Sequence, residues 1–133
     1  MINLLKYCYN LAKLKDNDDY QEEIMMKSIE LGKKTSPKLL IFDMDETLVA
    51  AKFKGNVPPK FEKTFSFQLQ TTEISVRLRP YVIDCLEKLA PLYEMIVFTA
   101  GMQDYADNIL DYIDPNKKLF KRRLYRNDCI KLD

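Results

Sequence analysis

The sequence predicts an α/β fold, and three observations carry that prediction. Two short runs, Leu39-Leu40-Ile41-Phe42 and Glu94-Met95-Ile96-Val97-Phe98, have the length and apolar character of buried strands, the first reading as buried on both faces. Each ends abruptly: Asp43-Met44-Asp45 follows the first and Thr99-Ala100-Gly101 the second. Helical periodicity fills Pro80 to about Ala90 and Met102 to Ile113, so strands and helices alternate as in a parallel sheet with right-handed crossovers.

From the N-terminus, Met1 to Leu14 reads as an amphipathic helix with Leu4, Leu5, Cys8, Leu11 and Ala12 on one face. A second helix starts at the caps offered by Asp18 or Asp19 and ends near Gly32, ahead of Pro37. Its acidic start suits the helix dipole and needs no functional reading. We therefore divide the chain into a helical extension, 1–37, and an α/β domain, 38–133. After the first strand, Lys54-Gly55-Asn56 and Pro58-Pro59 mark a loop. Phe65, Phe67 and Leu69 then alternate against Ile74, Val76 and Leu78 about Thr71-Thr72, a hairpin pattern. Pro80 opens a helix with Val82, Leu86, Leu89 and Ala90 inward, and Pro91 separates it from the second strand. The next helix stops before Asp114-Pro115, and a short strand follows near Leu124. The order describes a Rossmann-like parallel sheet with helices on both faces, a β-hairpin insertion after the first core strand and no room for a large cap domain.

Composition narrows the function. A chain of 133 residues is one domain's worth, and a net charge of +1 selects neither nucleic acid nor membrane. The longest apolar runs are far too short for a membrane-spanning helix, and no secretory leader is visible. Cys8, Cys85 and Cys129 are an odd, widely spaced set that fits a reduced intracellular protein. None has Arg six positions later, which argues against a cysteine-dependent phosphatase loop. With no histidine, His-activated nucleophiles and His-rich metal sites are excluded.

The loop after the first strand is where an open α/β sheet binds ligands. Asp43 can attack phosphorus as a nucleophile, and Asp45 can protonate the leaving oxygen and later activate water. The Asp43 carboxylate and the Asp45 backbone carbonyl can share Mg²⁺, which favours oxygen ligands and keeps several waters. Thr47 can hydrogen-bond within the turn and fix the angle of the first carboxylate. The alternative is an acidic turn in which one carboxylate caps a short helix; that accounts for one acid and leaves the other unexplained. Thr99 ends the second strand ahead of a helix start, where a hydroxyl and free amides suit a phosphate oxygen. Taken alone, Thr99 reads more readily as a turn former; paired with the acidic loop on the preceding core strand, the phosphate-binding reading prevails.

Asp43-x-Asp45-x-Thr47-Leu48 resembles the first motif of the haloacid-dehalogenase superfamily. Arg79-Pro80-Tyr81, Leu92 to Ala100, Tyr105-Ala106-Asp107 and Arg123-Leu124-Tyr125-Arg126 resemble one branch of it: the small phosphatases of the RNA polymerase II carboxy-terminal domain, with the NLI-interacting-factor-like phosphatase domain. The resemblance runs from about Lys38 to Cys129. It implies a Mg²⁺-dependent phosphoserine/phosphothreonine protein phosphatase, with Asp43 and Asp45 catalytic, Thr47 and Thr99 phosphate-binding, and Mg²⁺ on Asp43 and the Asp45 carbonyl. Its implied substrate is a phosphoprotein such as that carboxy-terminal domain, which an uncapped site would admit. The other reading is an inactive peptide-binding module like the resembled mitochondrial import translocase subunit. The implied compartment is nuclear or cytoplasmic, with mitochondria as the alternative.

The family pattern also needs a third-motif Lys and a fourth-motif Asp or Asn, and both are absent up to Asp133. Lys131, Asp128 and Asp133 lack the expected context and are not assigned those roles. The chain is accordingly expected to be incomplete at its C-terminus, with little activity and with an unpaired sheet edge that invites self-association. Lys117, Lys118, Lys121, Arg122, Arg123 and Arg126 form a basic run, read as a solvated rim or as steering for a phosphate. It has too little aromatic support to argue for nucleic acid.

Overall fold

The computed structural model describes residues 21–22, 25–29, 31–53 and 64–129. The first helix of the N-terminal extension, the loop at Lys54-Gly55-Asn56 and Pro58-Pro59, and residues 130–133 lie outside the described residues; Gln21, Glu22, Met25 and Met26 are helical. Leu31–Cys129 forms one compact unit.

Two sheets build that unit. Strands β1 (Leu39–Phe42), β5 (Glu94–Phe98) and β6 (Arg122–Leu124) form a parallel sheet in the order β1-β5-β6. Strands β2 (Val49–Phe53), β3 (Thr64–Leu69) and β4 (Thr72–Leu78) form an antiparallel sheet in the order β2-β4-β3. The hairpin expected from the alternating pattern is β3-β4, turning through Gln70 and Thr71, with Gln70 at φ 53°. It gains a third strand, β2, which the sequence reading does not contain. Helix α1 (Val82–Leu89) crosses from β4 to β5, and α2 (Gln103–Ile113) from β5 to β6.

Alternation along the strands decides what is covered. Leu40, Phe42, Met95 and Val97 join one core with Val82 and Leu86 of α1, Ile109, Leu110 and Ile113 of α2, and Ile74 and Val76 of β4. An eight-residue helix such as α1 is too short to hold by itself. Packing holds it, since full burial of a Leu or Val side chain contributes roughly 1.5–3 kcal/mol. The expectation that β1 is buried on both faces is corrected: Leu39 is 41 % exposed and Ile41 61 %. Among the described residues only the Leu40–Phe42 side is covered, and β1 is an edge strand.

The parallel register positions the site. Phe42 pairs with Val97 and Phe98 with Leu124, so the carboxyl ends of β1, β5 and β6 lie side by side. The segments that follow them, Asp43-Met44-Asp45, Thr99-Ala100-Gly101 and Tyr125-Arg126, must then meet at one end of the sheet.

Candidate active site

The turn after β1 is built around Met44, whose side chain is wholly buried. In extended backbone neighbours point to opposite sides, so burying Met44 turns Asp43 and Asp45 together to the other. The Met44 carbonyl accepts from the amides of Thr47, Leu48 and Val49, and the Glu46 amide donates to the Val49 carbonyl at 2.8 Å. Closing this turn puts Glu46 at φ 57°, a conformation that costs a residue with a Cβ about 1–3 kcal/mol. Arg79 offsets that strain: its Nη2 donates to the Glu46 carbonyl at 2.9 Å and its Nε to the Thr47 carbonyl.

The Thr47 hydroxyl donates to Asp43 Oδ2 at 2.9 Å. Asp43 is exposed at the mouth of a cleft of about 490 Å³, which Asp45, Thr99, Gly101 and Arg126 also line. Thr47 is not among the cleft's lining residues. Its hydroxyl orients the first carboxylate.

Thr99 is 2 % exposed, its amide donating to the Leu124 carbonyl at 3.0 Å. Its hydroxyl accepts from the Gly101 amide at 3.0 Å and approaches Asp45 Oδ2 at 3.5 Å. The structure thus brings Asp43, Asp45 and Thr99 to one cleft, which sequence spacing alone could not do.

Two residues outside the expected catalytic, phosphate-binding and metal set join them. The Tyr105 hydroxyl, from the first turn of α2, donates to Asp45 Oδ1 at 2.6 Å. Burial and the neighbouring Asp45 charge push its phenol far above the usual tyrosine range, so it stays a donor. Arg126 donates through Nε to the Ala100 carbonyl at 2.7 Å and through its amide to the Gly101 carbonyl at 2.9 Å. That puts a guanidinium in the same cleft as two carboxylates, a set of charges that would receive a phosphate dianion. Of the remaining basic run, Lys121 pairs with Glu94 at 2.8 Å, and Arg123 with Asp107 at 3.0 Å and Asp111 at 2.6 Å. Lys121 and Arg123 are thus held in ion pairs, while Arg126 stands at the cleft.

Among the described residues no group of three or more Asp, Glu, Cys or His side chains could cage a metal ion. The pair expected from the sequence, the Asp43 carboxylate and the Asp45 carbonyl, would suit only a hard cation that keeps most of its waters. Asp128 does no such work: its carboxylate accepts from the Tyr125 amide at 2.7 Å, within a 3₁₀ turn at Arg126–Asp128. Lys131 and Asp133 lie outside the described residues. No helix among the described residues is long and apolar enough to cross a membrane.

Comparison with known proteins places this geometry. The family model described as NLI interacting factor-like phosphatase matches residues 38–133. The chain is 42 % identical over 95 residues to a human phosphatase of the RNA polymerase II C-terminal domain, covering 69 % of this chain and 10 % of that protein. It is 36 % identical over 112 residues to CTD small phosphatase-like protein 3 of Caenorhabditis elegans, covering 82 % and 39 %. Among solved structures, that of the fission yeast RNA polymerase II CTD phosphatase Fcp1 bound to beryllium fluoride superposes with a TM-score of 0.63 at 25 % identity, over 86 % of this chain and 34 % of that one. The chain spans well under half the length of each of these relatives.

Proposed function

Because the chain belongs to the NLI interacting factor-like phosphatase family, we propose that it is a Mg²⁺-dependent phosphoserine/phosphothreonine protein phosphatase domain working through an aspartyl-phosphate. The observation that carries this reading is the convergence of Asp43, Asp45, Thr99 and Arg126 on one open cleft.

Each group then has a role. Asp43, exposed and oriented by Thr47, forms the new bond to phosphorus as the ester bond breaks. Asp45 gives its proton to the leaving oxygen, then takes one from the water that cleaves the aspartyl-phosphate. Thr99 and Arg126 hold phosphoryl oxygens. The Asp43 carboxylate and Asp45 carbonyl would hold Mg²⁺, which supplies charge neutralisation at those oxygens.

The substrate is proposed to be a phosphorylated protein segment, since the cleft is open and its wall carries the apolar side chains of Phe53, Leu69 and Met102. The carboxy-terminal domain of RNA polymerase II, named for the relatives, is the first substrate to test, in the nucleus or cytoplasm. The inactive binding-module reading is not favoured, because the matched relatives are named phosphatases.

The test is hydrolysis of a phosphoserine peptide with and without Mg²⁺ by the chain and by Asp43→Asn. Slow release of phosphate, seen only with Mg²⁺ and lost in Asp43→Asn, is the expected result, slow because the third-motif Lys and fourth-motif acid are absent up to Asp133. Metal-independent release, or undiminished release by Asp43→Asn, would overturn the proposal.

A further inference from the structure

The two oxygens of the Asp45 carboxylate are held unequally. Oδ1 accepts from the Tyr105 hydroxyl at 2.6 Å, the short range of a charge-assisted O–H···O bond. Oδ2 has the Thr99 hydroxyl at 3.5 Å, the outer limit of a hydrogen bond. The Thr99 hydroxyl is the group that would turn to a phosphoryl oxygen when substrate binds. Oδ2 would then be released while Oδ1 stays pinned.

The pin itself cannot swing. Tyr105 is 8 % exposed, and its ring stacks on Phe53 at 5.9 Å between centroids and lies 6.3 Å from Phe67. The backbone of Gly101 also lies close to the ring, leaving only 3.1 Å between it and the place where a Cβ would stand. A buried phenol packed against these neighbours holds its hydroxyl at one point, and a hydrogen bond to a fixed point holds a carboxylate in one rotamer.

We propose that Tyr105 is a positioning residue that pins Asp45 Oδ1 so that Oδ2 faces the leaving-group oxygen. This rests on the phosphatase reading for what Asp45 does, and on the geometry for how it is held. In phosphoryl transfer the Asp43–phosphorus bond forms, the ester P–O bond breaks, and the proton on Asp45 Oδ2 moves to the departing oxygen. In the second step water forms the new P–O bond, its proton goes to Asp45 Oδ2, and the Asp43–phosphorus bond breaks. Tyr105 gives up no proton in either step; it keeps the acceptor where both transfers need it.

The variant is Tyr105→Phe, which keeps the packed ring and removes only the hydroxyl. The kinetic readout is kcat/KM, which reports phosphoryl transfer, against one good and one poor leaving group. Dinitrophenyl phosphate leaves without a proton, whereas a phosphoserine peptide needs one. General acid help is typically worth ~10²–10⁴-fold, and losing its aim should forfeit about 10–100-fold of that for the peptide. Dinitrophenyl phosphate should be nearly unaffected, and in an Asp45→Asn background Tyr105→Phe should cost nothing more. The structural readout, independent of activity, is a crystal structure of Tyr105→Phe, in which Asp45 should leave its rotamer while the Met44 and Thr99 backbones stay in place. Equal losses on both substrates, a full Tyr105→Phe loss retained without Asp45, or an unmoved Asp45 carboxylate would each overturn the proposal. Failure of the phosphatase reading shows differently, as activity undiminished in Asp43→Asn.

Discussion

A methyl group at Gly101 would stand 3.2 Å from the Thr99 hydroxyl oxygen and 3.1 Å from the Tyr105 ring. Both are tighter than ordinary van der Waals contact, and both neighbours are buried and partnered. Gly101→Ala should therefore cost about 1–3 kcal/mol, the usual range for overpacking, and should displace the Thr99 hydroxyl. Chemical denaturation together with the inhibition constant for orthophosphate checks this; unchanged values for both would show that the turn has slack. Thr47 gives a second test at the same scale. Its hydroxyl bonds Asp43 Oδ2 from outside the cleft lining, so Thr47→Val should lower kcat/KM by about tenfold and leave the midpoint of unfolding nearly unmoved. A large fall in stability with unchanged kcat/KM would assign Thr47 to the fold alone.

Elements are tied to one another by a few buried polar groups. Glu94, at the start of β5 and 6 % exposed, accepts from Lys121 Nζ at 2.8 Å and from the Thr35 hydroxyl at 3.0 Å, as well as the Thr35 amide. Lys121 also donates to the Lys33 carbonyl at 2.8 Å, so one carboxylate gathers the segment before β1 and the approach to β6. The Lys121 hydrogen bond, then the Thr35 amide, pulls the Glu94 carboxyl down from 4.5 to about 2. A folded-state value below the unfolded one stabilises above the unfolded pKa and is lost as pH falls through the folded one. The contribution of Glu94 should thus be complete above about pH 5 and fade between there and about pH 2. Glu94→Gln should unfold at lower urea than the parent at pH 6, and the gap should close on acidification. A gap that does not change from pH 6 to pH 3 would separate Glu94 from the acid response.

Across the whole molecule, the parts legible in the sequence are those set by local pattern. The runs ending at Phe42 and Phe98, the alternation from Phe65 to Leu78, and the periodicities of α1 and α2 announce β1, β5, the β3-β4 hairpin and both helices. Strand β2 stayed hidden because Val49-Ala50-Ala51-Lys52-Phe53 has little alternation of its own and is stabilised by pairing with β4. The open face of β1 was not legible either, since four apolar residues in a row look the same whether one face is covered or both. Asp43, Asp45 and Thr99 could be named from their places at strand ends. The Tyr105 contact could not, because it joins residues 60 apart and exists only once β1 and β5 pair. Arg126 was hidden inside a basic run, of which Lys121 and Arg123 are tied into pairs with Glu94, Asp107 and Asp111.

The central claim is that Asp43 carries the phosphoryl group, and acid quenching tests it most directly. The chain, and an Asp45→Asn variant in which breakdown should slow, would be mixed with ³²P-labelled aryl phosphate and Mg²⁺, quenched and digested. The expected result is a hydroxylamine-labile label on the peptide containing Asp43, longer-lived in Asp45→Asn and absent from Asp43→Asn. A hydroxylamine-stable label, a label on another residue, or an undiminished label in Asp43→Asn would contradict it.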